Sequence, residues 1–151
     1  MEKIKESMKK DHRQLGDMLK AYQKLKDEDE SEAKKLFHEI QSRIERHVSW
    51  EERILFPRIE ARICMNLPPP SIRARSQHRE IEKIIEKICE QVVHTRRQTN
   101  ELKGKLADLW EQHDRELERI LYPWIDLSLS EQEKEEALDL MDRSAVGHGS
   151  Q

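Results

Sequence analysis

Four histidines, His12, His47, His78 and His113, each fall in a stretch where apolar residues recur at steps of three or four. That spacing marks one face of a helix, so each imidazole is expected to point inward. Imidazole nitrogen is the commonest metal-binding group among side chains. One such histidine reads as a core residue satisfied by a hydrogen bond. Four together are different, because neutral imidazoles left without partners cost about 1–3 kcal/mol each and protonated ones repel. A bound metal ion removes both penalties. Glu51 follows His47 by four residues, about 40° round the same helix face, so its carboxylate reaches the same centre.

The second carboxylate is harder to place. Leu117 stands four residues after His113 and its neighbours are Glu116 and Glu118. In a regular helix Glu116 lies about 60° from the His113 face and Glu118 about 140° away. A π-bulge would turn Glu118 inward instead. Regular helix geometry favours Glu116, and a π-bulge would favour Glu118.

The elements that must position these groups are helices. Charged residues make up 39% of the 151 and apolar ones 35%, with only four glycines and five prolines. So few turn-formers exclude a sandwich, barrel or propeller, whereas long amphipathic helices need only about three apolar positions in seven. The first helix reads from Glu2 to Lys26, with the stripe Ile4, Met8, His12, Leu15, Leu19, Tyr22. The second begins after Asp29, which with Glu32 forms a variant capping box. It carries Leu36, Ile40, Ile44, His47, Glu51 and Ile54 or Leu55, and Pro57 is expected to kink or end it. The third starts near Ser71 with Ala74, His78, Ile81, Ile85, Ile88 and Val92. The fourth carries Leu102, Leu106, Leu109, His113, Leu117, Ile120 and Trp124. Ser130 with Glu133 caps a short fifth helix over about Glu131–Arg143, and a disordered tail is expected over 144–151.

A shift of 66 residues aligns the chain with itself without gaps. Asp11-His12-Arg13 falls on Gln77-His78-Arg79, His47 on His113, and Glu52-Arg53-Ile54-Leu55-Phe56-Pro57 on Glu118-Arg119-Ile120-Leu121-Tyr122-Pro123. The expected fold is therefore all-α: an up-down four-helix bundle of two related hairpins over 1–126, with a short C-terminal helix over 127–143 packed on or beside it. His12 and His47 are equidistant from the charged run at Glu28–Ser31, so a turn there brings them to one height at about 1.5 Å per residue. The same reasoning for His78 and His113 places the second turn near Thr95–Asn100. His38, His94 and His148 lie off the stripes and are expected to face solvent. Trp50, Trp110, Trp124, Tyr22 and Tyr122 read as packing groups, Cys89 as a buried apolar group and Cys64 as a loop residue.

With these residues in place the sequence resembles the hemerythrin-like, or HHE cation-binding, family. The resemblance rests on Asp11-His12-Arg13, on His47-Val48-Ser49-Trp50-Glu51-Glu52 running into Leu55-Phe56-Pro57, on Gln77-His78-Arg79-Glu80, and on His113 running into Leu121-Tyr122-Pro123, and it covers about residues 8–125. It implies a bundle holding two iron ions as a non-haem di-iron centre, with His12, His47, Glu51, His78 and His113 as ligands. In that family's oxygen carriers the last carboxylate follows its histidine by five residues, which selects Glu118. They also carry a further histidine where this chain has Ala74, and four histidines are the set of the iron-repair and sensor branches.

The function implied is binding of a small diatomic ligand, oxygen or nitric oxide, or iron handling, by a carrier, sensor or repair protein. Oxidase or peroxidase chemistry at the same centre is one alternative, and a metal-free helical interaction module is another. The net charge of −3 has both signs interspersed, so neither a nucleic-acid face nor a lipid-binding tail is expected. No stretch reaches the roughly 18 apolar residues of a membrane span and no apolar signal segment opens the chain, which makes a cytoplasmic location the expectation.

Overall fold

The computed structural model describes residues 3–25, 30–62, 70–90 and 96–149, with side chains of 96–99 and 145–149 excepted. Asp29, Cys64, Val92 and His94, and the side chain of His148, lie outside the described residues. Among the described residues there are five helices. Helix α1 is Lys3–Lys24 and α2 is Glu30–Ser49, which continues through a π-helical turn, Trp50–Leu55, into Phe56–Glu60. Helix α3 is Pro70–Glu90, and α4 is Arg96–Glu116, continuing through a second π turn, Leu117–Leu121, into Tyr122–Ser128. Helix α5 is Glu131–Gly149.

The helices form the expected antiparallel bundle, with α1 packed on α2 and α4, and α3 on α4. The α1 stripe is buried throughout. The core divides into two clusters. One gathers Leu15, Leu19, Tyr22, Ile40, Ile44, Ile81, Ile85, Leu106 and Trp110; the other gathers Ile4, Met8, Leu55, Phe56, Ile59, Leu121, Tyr122, Ile125 and residues of α5. Each fully buried aliphatic side chain contributes roughly 1.5–3 kcal/mol. The histidine layer lies between the clusters, which hold the four helices together above and below it.

Several sequence expectations are corrected. Pro57 does not end α2, because the wider π turn just before it accommodates a ring that would press on an α-helical carbonyl four residues back. In that turn the Phe56 N–H donates to the carbonyl of Glu51, and in its counterpart the Tyr122 N–H donates to that of Leu117. The extra residue advances the helix phase, so Leu121 takes the inward place expected for Ile120, which is 49% exposed. Helix α4 begins at Arg96, so residues 96–100 are helical where a turn over 95–100 is expected, and residues 91–95 lie outside the described residues. Cys89 is exposed, because Ile84 and Ile88 carry the buried stripe and Cys89 lies one step round from it. His38 faces solvent as expected.

Helix α5 extends past Arg143 to Gly149, so residues 144–149 are helical backbone. Its capping box is formed in both directions: the Glu133 N–H donates to Ser130 Oγ at 3.1 Å and the Ser130 N–H to Glu133 Oε1 at 3.2 Å. Ala137 and Met141 are buried against α1 and α2, and Trp50 Nε1 donates to the Met141 carbonyl at 3.1 Å. At the start of α1, the N–H groups of Ile4 and Lys5 donate to the two carboxylate oxygens of Asp126, both at 2.9 Å. These are donors without intrahelical partners, and a carboxylate there also meets the positive end of the helix dipole.

Candidate metal centre

One histidine from each of α1–α4 enters the layer between the two apolar clusters. His47, His78, His113 and Glu51 are 0% exposed and His12 is 2% exposed. The inward nitrogens converge. His12 Nε2 lies 2.7 Å from His47 Nε2, and His78 Nε2 lies 3.3 Å from His113 Nε2. Glu51 Oε1 stands among them, 2.9 Å from His47 Nε2, 3.0 Å from His113 Nε2 and 3.3 Å from His78 Nε2. One ligand atom each from His12, His47, Glu51 and His113 fit within 4.8 Å of one another.

Every imidazole is held from behind through Nδ1. Nδ1–H of His47 donates to Asp11 Oδ2 at 2.7 Å, that of His78 to Glu52 Oε2 at 2.6 Å, and that of His113 to Gln77 Oε1 at 3.1 Å. The Nδ1–H of His12 donates to Glu118 Oε1 at 3.2 Å. These partners set the ring orientations and aim each Nε2 inward, the arrangement that orients metal-binding histidines. They also obey the repeat: Asp11 and Gln77 are equivalent, as are Glu52 and Glu118. Gln77 is itself held by Glu116, whose Oε2 accepts from Nε2 at 2.7 Å. Asp11 is braced by Arg43 and Arg46.

The ring faces are covered by aromatic groups. Trp110 meets His47 edge-on with centroids 5.0 Å apart and also touches His12 and His113. Phe56 stacks on His78 with a 2° interplanar angle. The layer is therefore screened from water, and its charges act in a low dielectric.

Electrostatically the layer favours positive charge beside Glu51. Burial opposes a charge on His47, yet Glu51 and Asp11 override it and push its pKa up to about 10. Burial and the neighbouring charge of His47 push His12 down to about 4. Burial likewise opposes ionisation of Glu51, but His113 and His47 hold it well below the usual carboxylate range. One imidazolium thus supplies positive charge between paired nitrogens whose outer sides are already occupied. Four inward imidazoles and a carboxylate are a donor set suited to a borderline transition-metal ion, and the residues fit the group.

The structure brings together five of the six expected residues: His12, His47, Glu51, His78 and His113. Glu118 is instead at the outer edge of His12, and Glu116 lies further out, against Gln77 and Arg73. The π turn does rotate Glu118 toward the layer, but to the Nδ1 side. Asp114 Oδ1 lies 3.0 Å from the same His12 nitrogen without the alignment of a hydrogen bond, and burial pushes its pKa up to about 9. Sequence reading places Glu118 on the inner side and does not single out Asp11 and Glu52 as backing groups, although the alignment of Glu52 with Glu118 at a 66-residue spacing was a signal. It also misjudged Tyr122, whose buried hydroxyl enters the layer, donating to Glu51 Oε2 at 3.0 Å and lying 3.2 Å from His12 Nε2.

Comparison with known proteins agrees with this geometry. The family model for the hemerythrin HHE cation binding domain matches residues 3–125. No significant match is found among curated proteins or solved structures. The matched span takes in both hairpins and all four inward histidines, and the chain belongs to the hemerythrin HHE cation binding domain family.

Proposed function

We propose that this layer is a non-haem iron centre of two ions, held by His12, His47, Glu51, His78 and His113, and that it binds oxygen or nitric oxide or handles iron. The observation that carries this reading is the convergence of three Nε2 atoms, of His47, His78 and His113, on one buried carboxylate oxygen, with the fourth, of His12, 2.7 Å from His47 Nε2 and every Nδ1 engaged behind. Ferrous ions there would supply electron density to a bound diatomic molecule. Glu52, Glu118, Asp11 and Gln77 keep the imidazoles aimed, while Trp110 and Phe56 exclude water. Tyr122 brings an O–H group to the inner face.

The ligand count favours a centre with open positions. Leu117 stands at the repeat equivalent of Glu51 and Ala74 at that of Met8, so the second hairpin supplies no carboxylate at the first position and no donor at the other. Fewer protein donors leave more sites for an exogenous ligand, which suits sensing or iron release more than a sealed oxygen store.

The test is metal analysis of protein expressed in iron-replete medium, with visible spectra recorded before and after anaerobic addition of nitric oxide. About two irons per chain and a new visible band on nitric oxide addition are expected. Folded protein without metal would overturn the centre. Iron without any spectral response to nitric oxide or oxygen would remove the diatomic-ligand reading and leave iron handling.

A further inference from the structure

The two hairpins present unequal sets of oxygen atoms to the histidine layer. In the first, Glu51 points a carboxylate inward and Phe56 lays an unsubstituted ring flat against His78. In the second, Leu117 replaces the carboxylate, and the residue equivalent to Phe56 is Tyr122. Tyr122 does not stack flat. Its ring is tilted 39° to His12 with centroids 5.6 Å apart, which sets the hydroxyl beside Glu51 Oε2 and His12 Nε2. The hydroxyl is fully buried, and both neighbours are atoms already assigned to the centre. The second hairpin has thus lost an oxygen donor at one position and gained one five residues later.

We propose that Tyr122 is a ligand of the metal centre, its phenolate oxygen serving in place of the carboxylate that Leu117 lacks. The proposal rests on the metal-centre reading above. The inner set otherwise offers four neutral imidazoles and a single negative charge, too little to balance two divalent cations in a water-excluded layer. A phenolate adds a second. The hydroxyl donates to Glu51 Oε2; as a ligand it would give up that proton, by way of the adjoining carboxylate and imidazole hydrogen bonds, to solvent outside the layer, and the freed oxygen lone pair would be available to the ion. No electrons are exchanged in this step, and one proton per chain is released in addition to those leaving the other ligands.

The chain has two tyrosines, and the other, Tyr22, is packed against Phe37 in the opposite apolar cluster, so the signal has one alternative source and a ready control. The wild-type chain loaded with ferric iron is examined by metal analysis, visible absorption and resonance Raman scattering, beside Tyr122→Phe and Tyr22→Phe. The expected result is a phenolate-to-iron charge-transfer band with enhanced tyrosinate ring modes in wild type and Tyr22→Phe, and its loss in Tyr122→Phe while iron remains bound. Iron bound to the wild type without tyrosinate modes overturns the ligand role and leaves the metal centre standing. A folded wild type that binds no iron overturns both. Should Tyr122→Phe fail to fold, the wild-type and Tyr22→Phe spectra still decide. Zinc titration of metal-free protein gives an independent readout: ultraviolet difference absorption is expected to show ionisation of one tyrosine per chain, and none would overturn the proposal.

Discussion

The two hairpins share a scaffold and differ in what they do with it. Both place histidines at equivalent positions and insert a π turn before a proline, and each backs one of its own imidazoles (through Asp11 or Gln77) and one of its partner's (through Glu52 or Glu118) with equivalent side chains. They part company on their outer faces. In the first hairpin Ile4, Met8, Trp50 and Ile54 form the seat of α5, filled by Ala137, Leu138 and Met141. The equivalent residues of the second hairpin, Pro70, Ala74, Glu116 and Ile120, line an open groove of about 460 Å³, flanked by Arg73, Arg115 and Arg119. The lesson is that backbone and imidazole placement are common to both halves, while the donor oxygens and the covering of the outer face are set separately in each.

Substitutions that make one half resemble the other break this comparison most sharply. Glu51→Leu, which copies the second hairpin into the first, is expected to remove the inner carboxylate and with it stable metal retention, read as iron per chain after desalting. The reciprocal Leu117→Glu is expected to act in two directions. It buries a further charge in metal-free protein, lowering stability by about 2 kcal/mol or more, and it strengthens metal retention; thermal unfolding with and without metal separates the two effects.

The backing residues give the next largest effect. Asp11→Ala and Gln77→Ala are each expected to weaken metal affinity by roughly 10–100-fold, with Asp11→Ala the more severe because it removes a charged acceptor. Competition with a chelator of known affinity measures the order, and equal losses would deny the charge argument.

The outer faces are compared through an equivalent pair. Ile54→Ala is expected to cost about 1–2 kcal/mol, because Ile54 packs on the cluster that includes α5. Ile120→Ala, at the half-exposed equivalent position, is expected to stay within about 0.5 kcal/mol. Urea unfolding curves of the two variants check the difference. Ser130→Ala, which removes one half of the α5 capping box, is expected to cost about 1 kcal/mol and to loosen α5 before the bundle unfolds.

Much of this was legible before any coordinates. The histidines announced themselves because a stripe of period 3.6 assigns a face to each residue, and the 66-residue repeat fixed which belonged together. Glu51 was legible for the same reason, being one turn from His47 on an unbroken face. Glu118 was not. A single extra residue in the π turn moves it from the outside of α4 to the His12 Nδ1 side, and whether it stops there or reaches further depends on the ring across from it. Ile120 was misassigned by the same phase shift. Tyr122 reads as packing in the sequence because its equivalent is Phe56, and a hydroxyl at the end of a ring has no partner until four helices have closed round it.

The sequence by itself therefore determined the helical class, the two-hairpin order and the four inward imidazoles, since these follow from spacing along a single helix and from an internal copy. The packed bundle alone decided which oxygen atoms enter the layer, which carboxylate holds which Nδ1, and which outer face α5 covers. Those choices depend on side chains from different helices meeting within hydrogen-bond distance, and no pattern confined to one helix encodes that meeting.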